Sequence, residues 1–166
     1  ASTLWGLPSV IGESVLVLSI LVWAALLIVY LSQAIQQPQY VRIEAEHPVQ
    51  GGTPALIAVA TMLIAIAALP YSRLAAEILA AGAIGGHLLF SLWHTGTLWR
   101  GGRSPMDTLP TVYLPTVAGN FTSGAILGAL GMPSWGWLFV GAGVFSWLAL
   151  ESLMIHRLLV PEPLPV

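Results

Sequence analysis

The sequence predicts an all-α integral membrane protein, and three observations carry that prediction. Of 166 residues 57% are hydrophobic and only 7% are charged, where a soluble domain carries roughly 25% charged residues. Lysine is missing altogether, and five basic with seven acidic side chains cannot cover a water-facing surface of this size. Five apolar runs approach the about 20 residues that a helix needs to cross a bilayer. None alternates as a strand would, and only helices or closed barrels satisfy their backbone in lipid.

The first run, Val10–Ala34, contains SVLVLSILVWAALLIVYL, eighteen residues without a charge. The second, Thr53–Leu69, is shorter and lies between Pro54 and Pro70. The third, Leu74–Leu98, is long. The fourth, Val112–Leu130, is again short and proline-bounded, by Pro110, Pro115 and Pro133; the fifth is Trp135–His156. Residues 1–166 thus read as one membrane domain with five transmembrane helices. Arg42, Arg100, Arg103 and Arg157 fall on one side of these spans and Arg73 on the other. By the positive-inside rule the loops 35–52 and 99–111 and the chain from residue 157 are cytoplasmic, with the N-terminus outside. Trp5, Tyr71 and Trp135 suit an outer aromatic belt, and Tyr30, Trp99 and Tyr113 an inner one. A net charge of −2 argues against nucleic acid as a partner, and the lack of cysteine excludes disulfides and thiolate metal sites.

A repeat links the spans. Pro54 and Pro115 stand 61 residues apart, as do Thr61 and Thr122, while His94 and His156 stand 62 apart. The repeating unit is a hairpin: a short, proline-started helix running outward and a long helix returning. Parallel repeats of this kind imply a pseudo-rotation axis along the membrane normal. On that pattern the first span is a returning helix without its short partner, and the chain is expected to be an internal piece of a larger transporter.

The fourth span, in YLPTVAGNFTSGAILGALG, carries more polar and small residues than a lipid-facing helix needs. Thr116, Asn120 and Ser123 share one helical face. Gly124 and Gly128 beside them form a small-residue pattern suited to close helix packing. An unpaired amide in hydrocarbon costs several kcal/mol, so Asn120 either bonds to a neighbouring helix or faces water. Pro115 removes one backbone donor and frees a carbonyl. Taken with the repeat, Thr53, Pro54, Thr61, Pro115, Thr116, Asn120, Thr122 and Ser123 are expected to line an ion path. No carboxylate lies in these two spans to attract cations, and neutral donors suit anions better. Small inorganic anions or dicarboxylates are the expected partners, besides the lipid bilayer.

The ionisable groups elsewhere have plainer readings. Glu77 sits one turn from Arg73 as an i, i+4 pair. Glu13 lies in the first turns of its helix. Glu151 is expected to snorkel or to pair with Arg100 or Arg103. His87, His94 and His156 raise the rival reading of a haem- or metal-binding electron-transfer protein. No carboxylate stands at i+3 or i+4 from His87 or His94, and no nucleotide, zinc-protease or nucleophile-elbow motif occurs. Neither an enzyme nor a cofactor is expected.

Four blocks, HPV at His47–Val49, LWRGG at Leu98–Gly102, YLPTVAGNF at Tyr113–Phe121 and GAGVFSWLALE at Gly141–Glu151, carry a resemblance. In order and spacing the sequence resembles the tellurite-resistance and C4-dicarboxylate transporter family, which includes bacterial tellurite-resistance protein A and the plant slow-type anion channel. The resemblance implies a ten-helix fold of five hairpins around a central pore in the inner membrane, assembled as a homotrimer. It places this chain at the family's second to sixth helices, with the second and fourth spans lining the pore. The family's phenylalanine gate lies in the second half; Phe121 belongs to a different helix and does not take that role. Passive anion permeation through an uncharged pore is the expected mechanism. Proton-coupled C4-dicarboxylate or tellurite transport is the alternative, with Glu77, Glu151 and the histidines as its candidates.

Overall fold

Proline and glycine set the helix boundaries in the computed structural model, which describes residues 9–47, 50–99 and 109–159. Trp5, Arg100, Arg103 and most of the loop 99–111 lie outside the described residues. The chain divides into two units, residues 1–38 and 39–166.

The first unit holds helix α1, Ser9–Gln36, 28 residues long, about 42 Å at 1.5 Å per residue. Two of its serines bond back to their own helix: Ser19 Oγ donates to Val15 O at 2.8 Å and Ser32 Oγ to Val29 O at 2.7 Å. The helix stops before Pro38, since the residue preceding a proline is pushed out of the α region.

Next, α2 spans Pro38–Glu46, and the second unit continues with α3, Ala55–Ala68, and α4, Arg73–Trp99. A 3₁₀ turn at Pro110–Val112 and a π turn at Leu114–Ala118 lead into α5, Gly119–Ala129, and α6 spans Pro133–Leu159. Two antiparallel hairpins result, α3 with α4 and α5 with α6. Each is closed by local chemistry. Ser72 caps α4, its Oγ accepting the Ala75 N–H at 3.2 Å. Gly131, at φ +84°, ends α5 in a left-handed turn. There Met132 N–H reaches Leu127 O at 2.9 Å and Gly131 N–H reaches Gly128 O at 3.1 Å. Pro133 then starts α6, at the position where its missing N–H costs nothing.

Among the described residues, three helices are long and apolar enough to cross a membrane: Ser9–Gln36, Arg73–Thr97 and Pro133–His156. Ala55–Ala68 is apolar but has 14 residues, about 21 Å of helix against a hydrocarbon core of about 30 Å. The fourth apolar run is a helical column from Pro110 to Ala129 in three pieces rather than one α-helix. Its prolines break the ladder.

The core is built on small residues. Ala76, Ala80 and Ala83 of α4 close on Met62 and Ala65 of α3, on Ile126 of α5 and on Leu130, which caps α5. In sequence that α4 stripe continues as His87, Ser91 and His94. Thus the buried face of one helix is alanine at its first end and polar at its second. The two α5/α6 glycines Gly124 and Gly136 let those helices touch: a Cβ on Gly124 would lie 2.6 Å from Val140 Cγ2, and one on Gly136 2.9 Å from Gly124 O.

Candidate functional site

The polar end of α4 meets the start of the α5 column, and the meeting is organised by Pro115. Leu109 is extended, as the residue before Pro110 must be. Pro115 brings no N–H to the helix, and the backbone widens there: Gly119 N–H reaches back five residues to Leu114 O. Such π turns recur at functional sites because they free backbone groups and re-aim side chains.

Four side chains and two carbonyls gather around this turn. His87 is 1% exposed. Its Nε2 lies 3.2 Å from Asn120 Oδ1, and its Nδ1 lies 3.2 Å from Ser91 Oγ. Ser91 Oγ in turn donates to the Pro115 carbonyl. Asn120 Nδ2 donates to Thr116 O at 2.5 Å. The Thr116 hydroxyl is buried without a hydrogen-bond partner among the described residues. His87 fits only because Gly119 has no side chain; a Cβ there would lie 2.2 Å from ring atoms Cε1 and Nδ1.

The other residues expected to line a path fall in three places. Thr53 stands at the loop before α3, where its hydroxyl is 3.1 Å from Glu44 Oε1 and 2.7 Å from Gln50 O. Pro54, half-buried, is the residue preceding α3. Thr61 and Thr122, both half-buried, bond back to their own helices, at Ile57 O (2.7 Å) and Ala118 O (2.6 Å). Ser123, expected to line the path on one face with Thr116 and Asn120, is fully buried. Its hydroxyl reaches Gly119 O at 2.8 Å and Met62 Sδ of α3 at 3.4 Å. The reason is the closure of α5 on α3, which covers that end of the stripe. Gly124 lies in the α5/α6 crossing, whereas a Cβ on Gly128 would meet nothing within 4 Å.

Apart from His87, the ionisable groups described are arranged around the site rather than in it. Arg73 Nε and Glu77 Oε1 pair at 2.8 Å, and Arg73 Nη2 also donates to Leu130 O at 3.1 Å, where a cation suits the helix C-terminus. Glu151 Oε2 accepts from Tyr113 Oη at 2.8 Å and from Trp147 Nε1 at 3.1 Å, tying the foot of the column to α6. Arg100 and Arg103, its expected partners, lie outside the described residues. His94 is buried and stacks on Phe90 with ring centroids 5.7 Å apart. Among the described residues no three His, Asp or Glu side chains are placed to hold a metal ion.

Of the two options open to Asn120, a bond to a neighbouring helix or contact with water, the structure shows a bond to His87 of α4. The signal was present: His87 and Ser91 follow Ala76, Ala80 and Ala83 at helical spacing on one stripe. Which helix that stripe meets is a tertiary fact.

Comparison with known proteins places this sequence beside a described family and a curated relative. The description of the voltage-dependent anion channel (SLAC1) family matches residues 1–166. A curated relative, "Tellurite resistance protein TehA homolog" of Haemophilus influenzae, is 36% identical over 138 residues, 82% of this chain and 42% of the relative. The chain therefore spans about two-fifths of the length of that relative.

Proposed function

This chain belongs to the voltage-dependent anion channel (SLAC1) family, and on that premise we propose that the protein it forms part of conducts small anions passively through an uncharged pore. It is a helical membrane protein of a channel and transporter family. The observation that carries the finer reading is the α5 column. An apolar, membrane-length run is interrupted by Pro110 and Pro115, holds a π turn, and presents Thr116, Asn120 and Thr122 with no ionisable side chain except the Tyr113 phenol.

In this reading Pro54 and Pro115 shape two pore helices, and Thr53, Thr61, Thr116, Asn120 and Thr122 replace part of an ion's hydration by hydroxyl and amide dipoles. The unpartnered Thr116 hydroxyl is suited to that task, since a buried donor without a partner is costly unless something polar comes to it. Ser123 and Gly124 serve helix closure. The short α3 supports a role facing a water-filled path, because a 14-residue helix cannot by itself span lipid. Two pore helices cannot enclose a path. The reading therefore includes the ten-helix, five-hairpin fold and the homotrimer of the family it resembles. The arginine count supports an inner-membrane orientation with residues 35–52, 99–111 and 157 onward in the cytoplasm. Oxyanions, including the tellurite named for the relative, belong to the same cargo class.

The test is potential-driven flux of chloride, nitrate and a C4-dicarboxylate into proteoliposomes holding the full-length protein. Chloride or nitrate flux without a proton gradient, lowered several-fold by Asn120→Leu, is expected. Dicarboxylate flux that requires a proton gradient would replace the passive mechanism with coupled transport. No flux of any anion would refute both.

A further inference from the structure

Resting on that reading of the pore face, we propose that His87 is its proton-binding residue and that an anion in the path is the counter-charge of the protonated ring. Donors and lone pairs around the ring decide this. Ser91 has one hydroxyl proton and donates it to the Pro115 carbonyl. Toward His87 Nδ1, 3.2 Å away, the same oxygen therefore offers a lone pair. Asn120 donates through Nδ2 to Thr116 O at 2.5 Å, which turns Oδ1, again a lone-pair oxygen, toward His87 Nε2 at 3.2 Å. Reversing the amide would set its carbonyl oxygen against the Thr116 carbonyl at that same 2.5 Å, a contact between two acceptors.

Both ring nitrogens of His87 thus face acceptors. A neutral imidazole carries one N–H, so one of the two contacts is repulsive; the imidazolium carries two, and both become hydrogen bonds. Neither neighbour turns away cheaply. Ser91 and Asn120 are both held by backbone carbonyls of the π turn, to which they donate, at Pro115 and Thr116.

A buried charge needs a partner. Neither α3 nor the column from Pro110 to Ala129 contains Asp, Glu, Arg or His. Tyr113, the titratable group of that column, donates to Glu151 of α6, which Trp147 also holds. On α4 itself His94 is seven residues on and stacked on Phe90, and Glu77 is paired with Arg73 at the far end. No carboxylate among the described residues bonds to the ring, so the counter-charge left to it is one that arrives along the path. His87 is itself 1% exposed and acts there through its charge and through Asn120, which is half-buried. Proton binding and anion occupancy then favour each other, by the reciprocity of linked equilibria. The ligand class is a small inorganic anion.

The experiment uses full-length protein labelled with ¹⁵N-histidine in bilayers. Ring nitrogen signals are followed from about pH 8 to about pH 5, in chloride and in gluconate at equal ionic strength, with His87→Gln identifying the resonance. The His87 signal is expected to pass to the doubly protonated form as pH falls, and at higher pH in chloride. Potential-driven chloride flux of the same protein should rise several-fold over that interval, and His87→Gln should flatten the rise. Should His87→Gln fail to fold, Ser91→Ala carries the test: it removes one of the two acceptors and moves the flux profile to lower pH. A His87 ring that stays singly protonated throughout, or a titration indifferent to chloride, overturns the inference even where flux is normal. Absence of flux in the unmodified protein overturns the pore reading, and with it the anion's part here.

Discussion

Gly119→Ala should damage the site more than any other single methyl added to α5, and the size of the effect follows from the geometry. An added Cβ would sit 2.2 Å from His87 Cε1 and Nδ1 and 3.0 Å from Nε2. Ordinary contact requires the ring to withdraw by more than about 1 Å. Its two bonds, each 3.2 Å, then exceed hydrogen-bond length. Overpacking costs about 1–3 kcal/mol, and the hydrogen bond to Asn120 on the neighbouring helix contributes about 0.6 kcal/mol. Alanine returns about 1 kcal/mol as a better helix former than glycine. A net loss of about 1–3 kcal/mol is expected. The assay is reversible denaturant unfolding of the full-length protein in micelles, with Gly128→Ala as the comparison, because a Cβ there meets nothing within 4 Å. Gly128→Ala should be neutral or slightly stabilising. In a His87→Ala background Gly119→Ala should lose most of its cost. If Gly119→Ala proves as benign as Gly128→Ala, the packing of His87 on the column is wrong.

Three further outcomes are expected from the same unfolding assay. Gly131→Ala forces a Cβ into the left-handed turn at φ +84° between α5 and α6 and should cost about 1–2 kcal/mol. Tyr113→Phe removes the 2.8 Å hydrogen bond to Glu151 and should cost about 1 kcal/mol or somewhat more, since the acceptor is a carboxylate. Glu77→Gln breaks an exposed ion pair and should cost less than about 1 kcal/mol, with the loss shrinking further as salt is raised.

Much of the fold is readable without coordinates because the bilayer leaves few options. An apolar run without charge has to be helix, whatever it touches, and Pro38, Pro70 and Pro133 sit near the ends of helices whose ladders they cannot continue. The α4 stripe of Ala76, Ala80, Ala83, His87, Ser91 and His94 is likewise visible as a 3.6-residue period. The π turn is not. Pro115 announces a defect in the ladder, but whether the column kinks, frays or widens depends on its neighbours, among them Ser91, 24 positions away, which donates to the Pro115 carbonyl.

Ser123 and Asn120 show the same division at closer range. Both belong to one polar face of a short span, and nothing local distinguishes them. Packing does: Ser123 is closed off at Met62 of α3, while Asn120 stays half-buried beside His87 of α4. Composition, the helical character of the apolar runs and the helix ends beside prolines were therefore determined by the sequence alone, because each depends on the chemistry of a few neighbouring residues and on the cost of an unmet backbone group in lipid. Which polar groups meet was decided by the tertiary structure, because a hydrogen bond between helices depends on their rotation and separation, and small residues at Gly119, Gly124 and Gly136 set those distances.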